Sequence, residues 1–561
     1  MVIDELRQIQ AQHGYLPADA LGALAQRIQV PLYQLHGVAS FYPHFRLTPP
    51  PPVEVAVCAD MACHLRGADD VSEILQSRFG QPAANGVVIR PVSCLGQCDR
   101  APAACVNDTV VTSVTGDSLA TIVENAVAGV PPAHPRPTPS SGRLRIDPYE
   151  PAERYQALKA LVASGDVAGL LAALKASELR GLGGAGFATG MKWEMVRGAA
   201  GEEKYVVCNA DESEPGTIKD RFLMEQVPHL VIEGMVIAGL VTGARRGIIY
   251  LRHEYEGPRA MLERELEVAR RLGVIGTSVL GSAHTFELSL FISPGGYICG
   301  EESALLEALE GKRAEPRNKP PFPALQGLWQ KPTVINNVET FVNVPGILRR
   351  GVEWFKSQGR SGASGLKFVG VSGHVVRPGV YEIAMGTPAR SVIFEAAGGI
   401  LGGRALKAFA PSGPSSGYLP ASMVDVPLDF KSLQQAGSML GSGAIVVCAE
   451  GTCMLDMALN AVRFFKNESC GKCVPCRVGT AKMVEILHGI AHGRGRADDL
   501  ALIAELSDAM ALTSICGLGQ IAPAPIRSVI THFREEIEDH VLRAHCPSGV
   551  CPVKPPTLRR A

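Results

Sequence analysis

Apolar side chains recur at helical spacing over the first 46 residues of the chain. Leucines and isoleucines stand three or four positions apart within two runs, namely Leu6 and Ile9, then Leu21, Leu24, Ile28, Leu32 and Leu35. This spacing is typical of amphipathic helices. Next, Val53-Glu-Val-Ala-Val57 places valine at every second position, which predicts a strand that runs directly into Cys58. A helical lead followed by a domain with a sheet is therefore predicted.

Helical and strand patterns alternate through the rest of the chain. The apolar pattern over Tyr155–Leu179 predicts helix, whereas Tyr205–Cys208 and Leu288–Ile292 read as short buried strands that end in loops. The stretch Val371–Gly399 predicts strands and turns, with no chemistry of its own. These patterns together indicate an α/β protein of several domains.

Length, charge and hydropathy exclude several classes of function. A chain of 561 residues predicts roughly three to five domains. Lysine plus arginine number 54 against 55 aspartates plus glutamates, so no basic surface for nucleic acid is indicated. The N-terminus has acidic residues where a signal peptide is basic, and no uninterrupted apolar run reaches the length of a membrane span. We expect a cytoplasmic protein without direct membrane insertion.

The fifteen cysteines are the most informative part of the composition. In a large chain without an export signal, clustered cysteines favour metal ligation over disulfides. Cys58-x4-Cys63 and Cys94-x3-Cys98 form two pairs about thirty residues apart, as a 2Fe-2S cluster requires. A zinc site is the alternative, although zinc pairs more often have two intervening residues.

A second cysteine cluster lies near the C-terminal end. Cys470, Cys473 and Cys476 are three residues apart and would stand at the start of a helix, where the helix dipole favours an anionic cluster. Cys516 is the candidate fourth ligand. This set predicts a 4Fe-4S cluster, with zinc as the alternative.

The most glycine-rich stretch is Arg180–Trp193, with five glycines. Such a stretch is poor helix or strand material and suits a backbone laid against a phosphate or a flat ring. Gly181-x-Gly183-x-x-Gly186 matches the dinucleotide fingerprint, but Leu170–Leu179 before it has helical composition instead of the required strand. We therefore interpret the stretch as the floor of a flavin and dinucleotide site outside an ordinary Rossmann motif. A surface loop is the alternative.

Polar residues follow both predicted strands. Asn209, Asp211, Glu212 and Glu214 come directly after the first, and suit hydrogen bonds to hydroxyls and ring nitrogens. A solvated acidic turn is the alternative. After the second strand, the glycines of residues 295–300 would place backbone N–H groups and a helix N-terminus against an anion.

The first 128 residues resemble the 24 kDa-type subunit of complex I. The resemblance rests on Gln10-x-x-His13-Gly-Tyr-Leu-Pro17, Ser40-Phe-Tyr42-x-x-Phe45, the Cys58 and Cys63 pair, and Cys94-Leu-Gly-x-Cys98-x-x-Ala101-Pro102. It implies a helical lead and a thioredoxin-like domain that carries one 2Fe-2S cluster.

Residues 150–540 resemble the NADH-binding, flavin-bearing 51 kDa-type subunit of complex I. The resemblance rests on the glycine stretch, the two strand-to-loop passages, Lys319-Pro-Pro-Phe322 and Asn336-Asn337-Val-Glu-Thr340. It implies an FMN site formed by Gly181, Gly183, Gly184, Lys192, Asn209, Asp211, Glu212, Tyr297, Gly300, Glu301, Asn336 and Asn337. It also implies an NAD(H) site formed by Phe187, Glu214, Glu302, Lys319 and Phe322.

These resemblances predict six segments. They are a helical part (1–46), a thioredoxin-like 2Fe-2S domain (47–128), a proline-rich linker (129–145), a Rossmann-like FMN and NADH domain (146–345), a β-grasp-like domain (346–440) and a helical 4Fe-4S domain with a cysteine-containing tail (441–561). The linker assignment follows from the five prolines of residues 131–142, which make a semi-rigid spacer.

The tail carries a cysteine pair outside the complex I pattern. Cys546-Pro-Ser-Gly-Val-Cys551 looks more like the flavin subunits of soluble hydrogenases. With Cys453 and His540 it could form a zinc site of three cysteines and one histidine that ties the tail to the helical domain. An unliganded cysteine pair is the alternative.

The combined features predict a diaphorase subunit, in which FMN links NAD(H) to iron–sulfur clusters and no side chain acts as a covalent catalyst. Fusion of the two parts resembles the beta subunit of NAD-dependent molybdenum or tungsten formate dehydrogenases, as do Arg180-Gly-Leu-Gly-Gly184, Leu419–Met423 and Asp429-Phe430. The resemblance implies a catalytic alpha subunit with further iron–sulfur clusters as partner, so that formate oxidation is coupled to NAD⁺ reduction. The flavin subunit of NAD-reducing hydrogenase and the complex I NADH dehydrogenase module are alternatives, and a non-redox, zinc-binding structural protein is a remote one.

Overall fold

A computed structural model describes residues 2–80, 86–134, 142–150 and 153–553. The central part of the predicted proline-rich linker, residues 135–141, lies outside the described residues.

The N-terminal segment is helical, as its apolar spacing predicts. It consists of α1 (Val2–His13), α2 (Ala18–Ile28) and α3 (Leu32–Ala39). Leu6 and Leu24 are buried in the same apolar cluster as Tyr250 and Leu305 of the central domain. The helical lead is thus packed onto the central domain and shares its apolar core.

The next segment is a four-stranded sheet with helices. Its strands are β1 (Val53–Cys58), β2 (Val87–Val92), β3 (Ala103–Val106) and β4 (Thr109–Thr112), and its helices are α4 (Met61–Leu65), α5 (Ala68–Phe79) and α6 (Gly116–Val127). The strand order is β2-β1-β3-β4, with β1 parallel to β2 and antiparallel to β3. The predicted strand before Cys58 is confirmed, and Cys58 is its last residue.

The helical pattern over 155–179 forms two helices, α7 (Gln156–Ser164) and α8 (Val167–Ser177). Gly165, at φ +66°, ends the first. A helix therefore precedes the glycine stretch, as its composition indicates. The stretch itself was expected to be irregular throughout, and here the expectation is wrong at one end, because α9 (Thr189–Gly198) begins inside it and carries Lys192 and Trp193.

The central domain is a parallel four-stranded sheet. Its strands are β5 (Tyr205–Ala210), β6 (Arg246–Leu251), β7 (Glu287–Ile292) and β8 (Thr333–Asn337), in the order β7-β6-β5-β8. The order reverses between β5 and β8, and ligands bind at such switch points, outside the carboxyl ends of the strands. The helices of this region are α10 (Lys219–Gln226), α11 (Pro228–Thr242), α12 (Glu256–Arg271), α13 (Glu302–Leu309), α14 (Pro323–Gln326), α15 (Val338–Arg350) and α16 (Val352–Ser357).

A five-stranded mixed sheet follows, in the order β10-β9-β13-β11-β12. Its elements are β9 (Leu366–Gly373), β10 (Gly379–Ala384), β11 (Leu406–Pro414), β12 (Leu419–Pro420), α17 (Phe430–Gln435) and β13 (Ala444–Ala449). Because β13 is the middle strand, this sheet extends past the predicted boundary at residue 440. Strands and turns were predicted throughout 371–399, but Ser391–Ala396 forms a helical turn.

The C-terminal part is a bundle of α18 (Met454–Asn467), α19 (Val474–Ala491), α20 (Asp499–Thr513), α21 (Gly517–Ile521), α22 (Ala524–His532) and α23 (Arg534–Leu542). Among the described residues, no single helix is long and apolar enough to cross a membrane; α10 and α11 pass the length and hydropathy test only as a pair bent by 95°.

Candidate functional site

Most of the predicted flavin residues lie at the carboxyl edge of the parallel sheet, at its switch point. Asn209 and Asn337 are register partners on β5 and β8. The Asn209 side-chain amide donates to the Gly300 carbonyl at 2.7 Å, and the Trp193 indole donates to Asn336 at 3.3 Å. The folded chain thus brings the ends of two strands, the 297–300 turn and α9 to one place, as the resemblance implies.

The glycine loop closes over this edge. Its ends are fixed by hydrogen bonds from Gly181 N to Phe187 O (2.8 Å) and from Thr189 N to Leu179 O (2.9 Å). A Cβ at Gly183 would lie 2.7 Å from the Asn337 Cβ, so only glycine allows this approach. Within the described parts of the chain, the N–H groups of residues 183–185 donate to no protein acceptor. Free, oriented N–H groups beside a sheet switch point fit a phosphate or a flavin.

Lys192 places a cation in this region. Its ammonium donates to the Ile335 carbonyl at 3.0 Å, and burial lowers the pKa of the amine. A half-buried cation beside β8 is suited to compensate negative charge on a bound flavin or phosphate.

Asp211 and Glu212, two of the three acids after β5, are largely committed to protein contacts. Asp211 accepts from the Ser213 hydroxyl at 2.7 Å, and burial raises its pKa to about 7. Glu212 accepts from the backbone N–H of Asp220 (2.8 Å) and of Arg221 (2.9 Å) and from the Tyr255 hydroxyl (2.8 Å). Burial also raises the pKa of Glu212 to about 7. The Glu212 carboxylate therefore fixes the first turn of α10 beneath the flavin region.

Two residues of α10 that the sequence did not single out, Lys219 and Asp220, contact Asn337 of the predicted flavin site. The Lys219 ammonium donates to Asp220 at 2.7 Å and to Asn337 Oδ1 at 3.1 Å, and the Asn337 amide donates to Asp220 at 2.6 Å. Glu339 pairs with Lys219 at 3.0 Å. The contacts with Asn337 and Glu339 link residues more than a hundred positions apart, so no local pattern could indicate them.

The predicted nucleotide residues form an ion cluster and an exposed aromatic pair. Lys319 donates to Glu301 at 2.9 Å and to Glu302 at 2.7 Å. Phe187 is 46% exposed and Phe322 is 55% exposed, which leaves both rings available for stacking. The second Glu301 oxygen caps α13 by accepting two backbone N–H groups at 2.9 Å. The remaining predicted nucleotide residue, Glu214, accepts hydrogen bonds from Ser415 of the mixed sheet.

Tyr297 connects the flavin region to the helical bundle. Its backbone N–H donates to the Glu468 carboxylate at 2.8 Å, and its ring centroid is 5.0 Å from that of Phe464. Glu468 comes two residues before Cys470. The predicted flavin contact is thus directly linked to the segment that begins the predicted 4Fe-4S site.

The four cysteines predicted for the 2Fe-2S cluster are all buried and lie together. Cys94 Sγ is 3.3 Å from Cys98 Sγ, and the Cys58 thiol contacts those of Cys63 and Cys94. Hydrogen bonds from the neighbouring thiols hold the pKa of Cys94 well below its usual range. Backbone N–H groups reach two of the sulfurs, Gly96 to Cys94 at 3.4 Å and Gly216 to Cys98 at 3.2 Å. Four converging thiols with such donors are the ligand set that a 2Fe-2S cluster requires.

Two buried arginines join the cluster loop to the central domain, and sequence reasoning missed both. Arg221 donates to the carbonyl of Gly96 (2.6 Å) and pairs with Asp99 (2.7 Å). Arg252 donates to the carbonyls of Cys94 and Glu212. The 2Fe-2S loop and the flavin region are therefore in direct contact.

The predicted 4Fe-4S cysteines meet at the top of the bundle. Cys473 is the N-cap of α19, Cys476 lies in its first turn, and Cys516 is the N-cap of α21. The Cys476 thiol interacts with those of Cys473 and Cys470, and the Cys516 thiol with that of Cys470. Burial raises the pKa of Cys476 and of Cys516 to about 11. The Ser514 hydroxyl is buried beside this group and has no partner among the described residues, which fits a cluster sulfur as its acceptor.

The tail cysteines form a tighter group. The ligand atoms of Cys453, His540, Cys546 and Cys551 all lie within 4.8 Å of one another. Cys453 Sγ is 3.5 Å from His540 Nε2 and 3.6 Å from Cys551 Sγ. His540 Nδ1 bonds to the Glu536 carbonyl at 2.7 Å, which turns Nε2 towards the sulfurs. Three thiols and one imidazole that converge in this way fit a single tetrahedral zinc ion.

Three family descriptions match successive parts of the chain. They are the thioredoxin-like [2Fe-2S] ferredoxin (residues 1–127), the Nuo51 FMN-binding domain (174–346) and the NADH-ubiquinone oxidoreductase-F iron-sulfur binding region (456–540). The predicted fold class is confirmed, and so are the predicted cofactor types FMN, 2Fe-2S and 4Fe-4S.

Known proteins resemble the chain over most of its length. An F-type subunit of the NADH-quinone oxidoreductase of Rhizobium meliloti is 44% identical over 72% of this chain and 96% of that protein. The HndC subunit of the NADP-reducing hydrogenase of Solidesulfovibrio fructosivorans is 42% identical over 72% of this chain and 82% of that protein. A crystal structure of NAD⁺-reducing [NiFe]-hydrogenase in the H₂-reduced state matches 96% of this chain and 93% of its own, with a TM-score of 0.86 and 34% identity.

Proposed function

The chain belongs to the family of the F-type subunits of NADH-quinone oxidoreductase, with a thioredoxin-like 2Fe-2S domain fused in front, and we propose from this that it is the diaphorase subunit of a larger oxidoreductase. One observation carries the proposal: the flavin region contacts both cluster sites. Gly216, after the acidic turn, donates its N–H to Cys98, and Tyr297 donates its N–H to Glu468 beside Cys470. A flavin site between two clusters is suited to pass electrons from a nucleotide to iron.

FMN, when bound, exchanges hydride with a nicotinamide and single electrons with an iron–sulfur cluster. The residues of the chain would position the flavin and the nucleotide for this chemistry. The free N–H groups of residues 183–185 and the Lys192 ammonium would hold the flavin and its phosphate. Glu214, Glu302 and Lys319 would bind the hydroxyl and amide groups of NAD(H), and Phe187 and Phe322 would stack on its rings.

An apolar patch around the 4Fe-4S cysteines supports a partner subunit. Val474 is 59% exposed beside Cys473, and Ile515 is 38% exposed beside Cys516. Val478 and Leu512 add side chains that are 54% and 84% exposed. Exposed apolar side chains grouped at an electron exit fit a protein partner that covers the cluster and receives its electrons.

For that partner we propose the catalytic subunit of a cytoplasmic, NAD-dependent molybdenum or tungsten formate dehydrogenase, so that formate oxidation reduces NAD⁺. The proposal is supported by the fusion of the two parts and by the segments 180–184, 419–423 and 429–430, which resemble the beta subunit of those enzymes. The flavin subunit of an NAD-reducing hydrogenase is the second candidate, because a hydrogenase structure matches the chain over 96% of its length.

Copurification from the native host distinguishes these partners. A tagged chain should bring down a molybdenum or tungsten subunit, and the complex should reduce NAD⁺ with formate. A nickel-containing subunit with H₂-dependent NAD⁺ reduction would assign the chain to the hydrogenase type. If the complex showed neither activity, the formate proposal would have no support.

The partner surface gives a separate prediction. Leu512→Glu should reduce the amount of copurified partner about tenfold, because a charge would be buried in the contact, while NADH-dependent ferricyanide reduction stays at the wild-type level. Leu542→Glu is the matched control, since Leu542 is 64% exposed on α23 and outside the patch. Equal partner recovery with both variants would exclude this surface.

We further propose that Cys453, His540, Cys546 and Cys551 bind a structural zinc ion that ties the tail to the bundle. Metal analysis should find about one zinc per chain beside the iron. Cys546→Ser should lose the zinc and lower the melting temperature of the bundle, because one of the four ligands is removed. A zinc-free wild-type protein, or a Cys546→Ser protein of unchanged stability, would contradict the proposal.

A further inference from the structure

Ser415 lies at the tip of the mixed sheet, where β11 turns towards β12, and is only 7% exposed. Its hydroxyl and its backbone N–H both donate to one oxygen of Glu214, Oε1, with the N–H at 3.2 Å. Glu214 is 201 residues away in sequence and belongs to the acidic turn after β5. The second oxygen, Oε2, accepts from no residue in the described parts of the chain.

The turn that carries Ser415 is fixed from both sides. The Ser416 hydroxyl donates to the Gly413 carbonyl at 2.9 Å and accepts from Ser412 N at 2.9 Å. Gly413 has φ +57°, and a Cβ there would lie 2.3 Å from the Pro215 carbonyl. The turn is therefore locked internally and pressed against the residue that follows Glu214, so that the serine donors have a fixed direction.

Ser415 also faces Tyr297, the titratable group that interacts with Glu214 in this corner. A serine hydroxyl can accept one hydrogen bond while it donates another, so contact with both residues is compatible with its chemistry. Segments from β5, from the 297–300 turn and from the mixed sheet thus meet at one side chain.

We propose that Ser415 is a positioning residue of the nucleotide site, holding Oε1 of Glu214 so that Oε2 is aimed at a donor group of NAD(H), either the carboxamide NH₂ or a ribose hydroxyl. The proposal rests on the diaphorase function proposed above. No chemistry was expected for residues 371–399 of the mixed sheet. The proposal gives this sheet a part in nucleotide binding through its turn at residues 412–418.

The charge of Glu214 makes the role of Ser415 measurable. Burial raises the pKa of Glu214 to about 7, and the Ser415 donors oppose that rise by stabilising the carboxylate. Removal of the hydroxyl therefore raises this pKa further, and the carboxylate becomes protonated at neutral pH. Nucleotide affinity that depends on the ionised acid then recovers only at higher pH.

The test uses the full chain loaded with FMN and clusters. In Ser415→Ala, KM for NADH and the dissociation constant of NAD⁺ should both rise about tenfold at pH 7, and the midpoint of the pH profile should move to higher pH. Flavin content should be unchanged. Ser415→Thr keeps the hydroxyl and should restore the wild-type constants and profile, and Ser391→Ala, elsewhere in the same domain, should match the wild type.

Two results would overturn the proposal. One is a flavin-loaded Ser415→Ala protein with wild-type NAD⁺ affinity and pH profile. The other is a flavin-loaded Ser415→Thr protein whose dissociation constant for NAD⁺ and pH profile are shifted as much as is expected for loss of the hydroxyl. This second result is informative even where the alanine variant folds poorly. If instead the wild-type protein shows no NADH-dependent reduction, the diaphorase function fails and the result says nothing specific about Ser415.

Discussion

Gly183→Ala is expected to lower FMN affinity by about one to two orders of magnitude, with a parallel loss of NADH-dependent reduction at low flavin concentration. The new Cβ would lie 2.7 Å from the Asn337 Cβ and 3.1 Å from its Cγ. Overpacking of this kind costs about 1–3 kcal/mol, which corresponds to about 5- to 150-fold in a binding constant.

Asn337 cannot relieve the overlap by moving. Its amide donates to Asp220 at 2.6 Å, its carbonyl oxygen accepts from Lys219 at 3.1 Å, and the same oxygen caps α15 through Glu339 N at 3.0 Å. The glycine loop must therefore move away and carry its free N–H groups with it. Loss of this alignment removes the donors proposed for the flavin.

Flavin content and the FMN dissociation constant, measured by fluorescence, check this prediction. Gly198→Ala is the matched control, because an added Cβ at Gly198 meets no atom of the described residues within 4 Å. The control should bind FMN as the wild type does. Normal FMN affinity in Gly183→Ala would show that the glycine loop does not contact the flavin.

Cys476→Ser is expected to remove the 4Fe-4S cluster and to abolish electron transfer to the partner subunit. Cys476 is only 5% exposed, and its Sγ is 3.2 Å from the Ser469 hydroxyl. The site is tightly packed, because a Cβ at Gly519 would lie 2.9 Å from that of Cys476. A serine oxygen is a hard, poor ligand for iron, and the packing leaves little room for a substitute thiolate.

The iron content should fall from about six to about two atoms per chain, since the 2Fe-2S cluster is held by other cysteines. NADH-dependent ferricyanide reduction should largely persist if ferricyanide takes electrons at the flavin. Cys208→Ser is the control, since Cys208 is a fully buried thiol of β5 outside both cluster sets, and should keep the full iron content. Retention of about six irons by Cys476→Ser would contradict the assignment of this ligand.

Local sequence patterns were sufficient to predict the parts of the molecule whose functional residues lie only a few positions apart in the sequence. The strand that ends at Cys58 and the thiolates at the start of α19 follow from such spacings, and the structure brings the cysteines together as expected. Residues predicted through the family resemblance, such as Asn209 and Asn337, likewise converge at the end of the sheet. Their contacts with FMN and NAD(H) remain predictions.

Other features depend on contacts that no local pattern contains. Ser415 meets Glu214 across 201 positions, and Lys219 meets Asn337 across 118. The helix that carries Lys192 begins inside a glycine-rich stretch, because packing of Trp193 into the core outweighs the low helix propensity of the preceding residues. The middle strand of the mixed sheet was assigned to the following domain, because its parallel pairing with β9 spans more than seventy residues.

The central claim is that this single chain takes electron pairs from NADH and delivers them one at a time. The most direct measurement is the reduction of ferricyanide by the purified protein, reconstituted with FMN, iron and sulfide and supplied with NADH. We expect steady reduction that disappears on removal of FMN, together with bleaching of the flavin and cluster absorption by NADH alone. A fully reconstituted, brown protein that NADH neither bleaches nor enables to reduce ferricyanide would contradict the claim.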